Sequence, residues 1–380
     1  MPWRKEKQEI LQSARRILVK AGSAVLTNSE GLDRPAIENL VDQITDLHKR
    51  GIYTVLVTSG AAAAGRSVLK GRAEVRGIPD RQAAAAVGQS RLMHCYDEMF
   101  AARGITSAQI LLTREDLRDR HRFLNARNAF GRLLSWGVIP IVNENDTVAV
   151  QELQFGDNDT LGSLLLNLVE ADLFVNLTSA AGVKADNPDR NPDAGIMPCI
   201  EDVHSLNLTD LCGAKTTVGT GGMYSKLLAA RRAAQLGVPT LILPGRERDV
   251  LRRALAGEDL GTWVRSELRG ISRRKFWLAY NQVASGSVHV DAGAANALRK
   301  GGRSLLPAGI VGVDGDFDIG DMVRIIDPDG EPVGVGLSNY NAKEMRESMG
   351  RKLSDLSDRE VDNQYPEAIH CDNMLIGAVV

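Results

Sequence analysis

The sequence predicts an α/β protein. It should have a mostly parallel sheet covered by helices on both faces, followed by a small β-rich domain. Three observations lead there. The first two thirds alternate short β-rich runs with helix-length stretches. The pattern changes near Glu267–Lys275 to short β runs broken by Gly, Asp and Pro. The chain has 380 residues, more than one ordinary compact domain needs.

Strands are expected at Ile17–Val19, Tyr53–Val57, Ala108–Leu112, Val138–Val142, Leu173–Leu177 and Thr240–Leu243. Helices are expected at Pro35–Arg50, Arg81–Arg103, Arg122–Trp136, Thr160–Glu170 and Met223–Leu236. Strands alternating with helices of this length imply a parallel sheet, and ligands of such sheets bind beyond the carboxyl ends of the strands. The domains are therefore read as 15–266 for the α/β part and 275–360 for the small β domain, with 361–380 as a C-terminal segment. Residues 1–14 read as a polar extension, either a short polar helix or loose chain. Asp329–Gly330 suits a tight hairpin turn.

Composition removes several classes of function. Hydrophobic residues are 43% and charged residues 25%, which is globular and not disordered. A net charge of −2 makes no general electrostatic case for a nucleic-acid or membrane partner. Cys95, Cys199, Cys212 and Cys371 are far apart and form no C-x-x-C, so a reducing, cytoplasmic compartment is expected. No apolar run is long enough to cross a bilayer, and the charged start has no apolar stretch behind it to make a secretory signal.

Four motifs follow strands or open helices. Lys20-Ala21-Gly22-Ser23 puts a cation and bare backbone at a strand end, which suits phosphate but equally a surface lysine before a turn. Thr58–Gly65 offers Ser59 and Gly60 among small residues, fit for a ligand or for tight helix–sheet packing. Asn143-Glu144-Asn145-Asp146 and Gly156-Asp157-Asn158-Asp159-Thr160 collect acids and amides in two polar loops. They could bind an amine or order lysines, and they also suit turns and N-caps, Asp159 for the helix from Thr160. Gly219-Thr220-Gly221-Gly222-Met223-Tyr224-Ser225-Lys226 runs glycines into a helix start beside a lysine, an anion site without the usual P-loop spacing. No Gly-x-Ser-x-Gly is present and the histidines are scattered, so a serine or cysteine hydrolase is not indicated. A carboxylate nucleophile needs no base at neutral pH, and phosphoryl transfer to one needs positioning and cations.

In this order, K-x-G-S, TSGAAAAGR, AAVGQSRLM, LLTREDLRDRHRFLNARN, IPIVNENDTVA, FGDNDTL and GTGGMYSKL resemble the glutamate 5-kinase family of proline biosynthesis, over nearly all of residues 15–375. SLLPAGIVGVDGDFDIGD resembles the start of the PUA domain that ends many bacterial members. The resemblance implies the amino acid kinase fold and ATP-dependent phosphorylation of the side-chain carboxylate of L-glutamate, with Mg2+ bridging the nucleotide phosphates. Carried over by motif, Lys20 and Lys226 neutralise the phosphoryl group and Asp159 holds the two ammonium groups. Ser59, Asp146, Asn158 and Asn143 take glutamate. Lys20, Gly22, Gly60, Thr178, Ser179, Thr220, Gly221, Gly222, Met223 and Lys226 take the nucleotide. No residue is implied as a direct metal ligand. The family further implies proline as feedback inhibitor, a homo-oligomer (dimer or tetramer) and a glutamyl phosphate reductase as consumer of the product.

The chain departs from the family at 177–188. There the usual L-T-D-x-x-G-L-Y-T-A-D-P reads Leu177-Thr178-Ser179-Ala180-Ala181-Gly182-Val183-Lys184-Ala185-Asp186-Asn187-Pro188. The competing readings are a non-catalytic sensor of glutamate or proline, another kinase of the same fold acting on aspartate, acetylglutamate or carbamate, and an RNA-binding protein acting through the small domain. Against the latter, residues 276–380 carry nine Lys and Arg against sixteen Asp and Glu, a net charge of −7.

Overall fold

A computed structural model describes residues 2–70, 77–149, 158–212, 222–267, 270–281, 284–351 and 366–377. The chain divides into two compact units, Met1–Gly270 and Ile271–Val380.

The first unit is built on eight strands. They are β1 (Arg16–Ala21), β4 (Tyr53–Val57), β5 (Ser107–Leu112), β6 (Ile139–Glu144), β7 (Leu173–Thr178), β8 (Cys199–Ile200), β9 (Thr240–Pro244) and β10 (Thr262–Val264), in the order β5-β6-β4-β1-β7-β9-β10-β8. The six strands expected from the sequence are all present and mutually parallel. The short β8 and β10, two and three residues long, were not foreseen, and β10 runs antiparallel to β9. Two more short strands, β2 (Thr27–Asn28) and β3 (Gly31–Leu32), form a separate ribbon. The central strands are buried on both faces, as their continuous apolar runs require. Alternate residues divide between the two faces. Val19, Leu56, Ile141, Val175 and Leu241 point into a core shared with helices Arg34–Lys49, Ile78–Ala101 and Val250–Leu255. On the other face Ile242 and Val264 meet Leu227, Ala230 and Ala234 of helix Met223–Gln235.

Residues 2–13, expected as a polar extension or short polar helix, form a helix that is packed and not loose. Trp3, Lys7 and Leu11 recur every four residues and are buried, and Trp3 and Leu11 join the main core. So few apolar residues looked polar in the sequence, yet one stripe of them is enough to dock a helix. Lys7 meets Asp259 at 3.6 Å.

Two glycines let helices touch backbone to backbone. A Cβ on Gly65 would lie 1.7 Å from the Ala84 carbonyl oxygen, and one on Gly88 would lie 1.8 Å from that of Ala61. Helix Ile78–Ala101 is thereby pressed onto helix Ala61–Leu69, whose first residue follows the Ser59–Gly60 turn.

The second unit holds a five-stranded sheet, β12-β11-β13-β14-β15, with β11 (Gly286–Val290), β12 (Ile310–Gly315), β13 (Met322–Ile326), β14 (Pro332–Leu337) and β15 (Met374–Ile376). The expected turn joins β13 to β14. The Asp327 carboxylate accepts from the Asp329 and Glu331 N–H groups at 3.0 and 2.9 Å, and Gly330 takes φ +82°. β15 lies in the segment expected to trail this domain, and it pairs with β14 as the last strand of the sheet. Helices Arg273–Asn281, Ala292–Arg299 and Ala342–Ser348 complete the unit.

Candidate active site

The site is assembled at the carboxyl ends of the parallel strands, where β1 leads to neighbours on both sides. Lys20 stands in β1 opposite Asn176 in β7, two residues beyond the pair Leu18 and Phe174. Side chains two apart share a face, so Leu18, Lys20, Phe174 and Asn176 all face one helix. That helix is Asn158–Val169. A Cβ on its Gly162 would lie 3.3 Å from Phe174 and 3.7 Å from Leu18, which brings the helix close to the sheet. Asp159 is three residues earlier on the same helical face, one turn further on, and so falls over Lys20 and Asn176.

The result is a buried charge cluster. Asp159 is fully buried, and Lys20 and Lys226 are 3% and 4% exposed. The Lys20 ammonium lies 2.6 Å from Asp159 Oδ1 and that of Lys226 3.0 Å from Oδ2. Asn176 Nδ2 donates to Oδ1 at 2.7 Å and Ser225 Oγ to Oδ2 at 2.8 Å. Burial alone would raise the Asp159 pKa, but the two lysines and these hydrogen bonds overcome it and hold the carboxyl well below its usual range. A carboxylate that accepts from at least four donors is a clamp for ammonium groups and not a base. The N-cap role considered for it is not what the structure shows, because Asp159 lies within the helix Asn158–Val169. Lys226 comes from the first turn of helix Met223–Gln235, after the exposed N-cap Gly222.

Beside the cluster is a chain of amides. Asn158 Nδ2 lies 2.8 Å from Ser59 Oγ, 2.9 Å from the Thr58 carbonyl oxygen and 3.1 Å from Asn143 Oδ1, three acceptors that share its hydrogens. Three expected substrate residues, from three separate elements, are thus joined by hydrogen bonds. Thr58 is held from behind by its hydroxyl contact with the buried Tyr96, 2.9 Å. Asp146, three residues past Asn143, is half-buried and has no hydrogen-bond partner among the described residues. Burial pushes its carboxyl up to about 6. A half-buried acid three residues past Asn143 suits a ligand ammonium.

The other expected nucleotide residues are placed less uniformly. A Cβ on Gly22 would lie 3.6 Å from the Lys20 ammonium, so the strand-end glycine adjoins the cluster, although its own N–H donates to the Leu177 carbonyl at 3.3 Å. Gly60 takes φ +105°, which favours glycine, and caps helix Ala61–Leu69. Thr178 ends β7 and Ser179 is exposed just beyond it. Met223 is half-buried at its helix start. Thr220 and Gly221, with Gly219, Gly156 and Asp157, lie outside the described residues. In the segment that departs from the family pattern, Lys184 donates to the Pro192 carbonyl. The Asn187 side chain accepts from the Asp189 N–H at 2.9 Å. Both replacements hold the loop's own backbone.

The sequence reading missed Asn176, Ser225 and Gln89. Asn176 had a visible signal, a lone amide in the apolar run Leu-Phe-Val-Asn-Leu-Thr. Ser225 and Gln89 stood inside quoted motifs without a role. Among the described residues, the group of three side chains able to hold a metal is His370, Cys371 and Asp372 in the second unit, and none is in this site.

Two buried ammonium groups clamped by one carboxylate, at the carboxyl edge of a parallel sheet, suit a protein that handles phosphoryl groups. The amino acid kinase family profile matches residues 15–244 and that of the PUA domain residues 286–358. The chain is 63% identical to the glutamate 5-kinase of Oleidesulfovibrio alaskensis and 60% identical to that of Nitratidesulfovibrio vulgaris strain DP4, in each case over 380 residues and the whole of both chains. It is 55% identical to the glutamate 5-kinase of Maridesulfovibrio salexigens, over 98% of this chain and 99% of the other. Among solved structures, isopentenyl phosphate kinase aligns with 66% of this chain and 99% of its own, at a TM-score of 0.46 and 17% identity. The chain belongs to the amino acid kinase family, among the glutamate 5-kinases, and carries a PUA domain.

Proposed function

We infer that the protein transfers the γ-phosphoryl group of ATP to the side-chain carboxylate of L-glutamate, giving L-glutamyl 5-phosphate. The observation that carries this reading is the Lys20–Asp159–Lys226 cluster standing directly against the Ser59–Asn143–Asn158 amides, since Asn158 and Asp159 are adjacent residues. The acceptor carboxylate is already ionised at neutral pH, so the site needs cations and alignment and no general base. Lys20 has Asp159 as its partner among the described residues, which leaves ammonium hydrogens for phosphate oxygens. Asp159 holds both cations where negative charge builds up in transfer. Asp146 and Asn158 take the α-ammonium end of glutamate and Ser59 its carboxylate end. Gly22, Gly60, Thr178, Ser179 and the Thr220–Met223 run take the nucleotide.

Magnesium would neutralise charge on the nucleotide phosphates. Asp159 is committed to its donors and the described site offers no cage of carboxylates, so the ion would arrive on the phosphates and keep its water ligands. Proline is taken as an inhibitor that competes for the glutamate site, the assembly as a dimer or tetramer, and the labile acyl phosphate as the substrate of a reductase. ATP-dependent hydroxamate formation, run side by side with glutamate, aspartate and N-acetylglutamate, tests the reading. Turnover with glutamate alone is expected. No turnover with glutamate, or faster turnover with either analogue, would overturn it.

A further inference from the structure

The amide chain continues one residue beyond those assigned to glutamate. Gln89 Oε1, on helix Ile78–Ala101, accepts from Asn143 Nδ2 at 2.8 Å. The neighbouring Gly88 is the point at which that helix is pressed against the Ala61 carbonyl, so the backbone beneath Gln89 is fixed by steric contact.

The orientations of Asn143 and Asn158 can each be read from one backbone contact. The Glu144 N–H donates to Asn143 at 3.0 Å and can only donate, so the atom it meets is Oδ1. The Thr58 carbonyl can only accept, so the Asn158 atom facing it, at 2.9 Å, is Nδ2. Asn143 must then offer its Nδ2 to Gln89. Asn143 is 2% exposed, and without the Gln89 oxygen this amide would have a buried donor with no partner. Among the described residues both ends of the chain, Gln89 Nε2 and Asn158 Oδ1, are buried without a hydrogen-bond partner.

We propose that Gln89 is a positioning residue for glutamate binding: by holding the Asn143 amide in one orientation it keeps Asn158 turned with its N–H groups on Ser59 and Thr58 and its carbonyl oxygen available to the substrate ammonium. This rests on the reading of the site as a glutamate site. Gln89 acts through Asn143, so its effect must depend on Asn143. The experiment is a double-mutant cycle of Gln89→Met and Asn143→Ala, with KM for glutamate and for ATP, kcat, and melting temperature measured on all four proteins. Gln89→Met is expected to raise KM for glutamate about tenfold, the size expected for a lost buried hydrogen bond, with KM for ATP changed less than twofold. Adding Gln89→Met to Asn143→Ala is expected to change KM for glutamate less than twofold. Gln89→Glu keeps an acceptor for the Asn143 amide and is expected to fall between the parent and Gln89→Met. A parent that turns over glutamate but shows additive effects in the cycle overturns this proposal alone. So does a Gln89→Met protein whose ATP and glutamate constants rise together, or whose melting temperature falls with KM unchanged. A parent without glutamate turnover overturns the functional reading as well.

Discussion

Replacing Asp159 by Asn should damage stability and catalysis together. The substitution keeps the shape of the side chain but removes the negative charge between two ammonium groups that are 3% and 4% exposed. Removing one partner of a buried ion pair costs about 3–5 kcal/mol, and here both lysines lose theirs. For a unit of this size each kcal/mol lowers the melting temperature by roughly 2–4 °C, so a fall of roughly 6–20 °C is expected. The pH dependence has a definite sign. The folded pKa of Asp159 is depressed, so its contribution is fully present above the unfolded carboxylate value and is lost as pH falls through the folded one. The difference between the parent and Asp159→Asn should therefore stay full from neutrality down to about pH 4 and shrink only below it, as pH falls toward the folded value. Melting curves at pH 7 and about pH 3, with circular dichroism to show that the variant is folded, measure this. In the same samples kcat should fall at least ~100-fold, because the two cations are no longer held together. A variant that melts within ~2 °C of the parent at pH 7 would refute the clamp, and so would a normal kcat.

Lys20→Ala and Lys226→Ala should each lower kcat about 100-fold or more while KM changes less, which steady-state kinetics reads directly. Asp146 should tie glutamate binding to pH. With its carboxyl near 6, kcat/KM for glutamate should fall roughly tenfold per unit below that value, and Asp146→Asn should be lower throughout and flat between pH 5 and 8. A parent profile flat over the same range would count against Asp146. Ser179→Asp should raise ATP affinity a few-fold to tenfold, the gain from a charge-assisted hydrogen bond, and unchanged ATP titrations would mean that position 179 does not touch the nucleotide. The full chain should show no appreciable RNA binding at physiological salt, given a net charge of −7 over residues 276–380. Micromolar binding with a steep salt slope would reverse that expectation.

What could be read from the sequence follows the range over which each signal acts. β1, β4, β5, β6, β7 and β9 were legible because a strand buried on both faces must be apolar throughout, and Tyr53–Val57 is matched to the residue. β8 and β10 were not, since two or three residues carry no period and pair only because the chain returns to the sheet edge. Lys20 and Lys226 were legible as cations next to glycine, but the role of Asp159 was not fixed by its neighbours. The same Asp at a helix start suits a cap, and only Gly162 against Leu18 and Phe174, which brings the helix down on the sheet, decides that the carboxylate faces two lysines. The segment 178–188 carries the same lesson in the other direction. Lys184 has the charge to meet a phosphate, and in the fold its ammonium donates to the Pro192 carbonyl. A polar residue's type states what it can bind. Which partner it meets depends on backbone approach elsewhere in the chain, and at this site that approach is controlled by glycines 65, 88 and 162, not by the residues of the site itself.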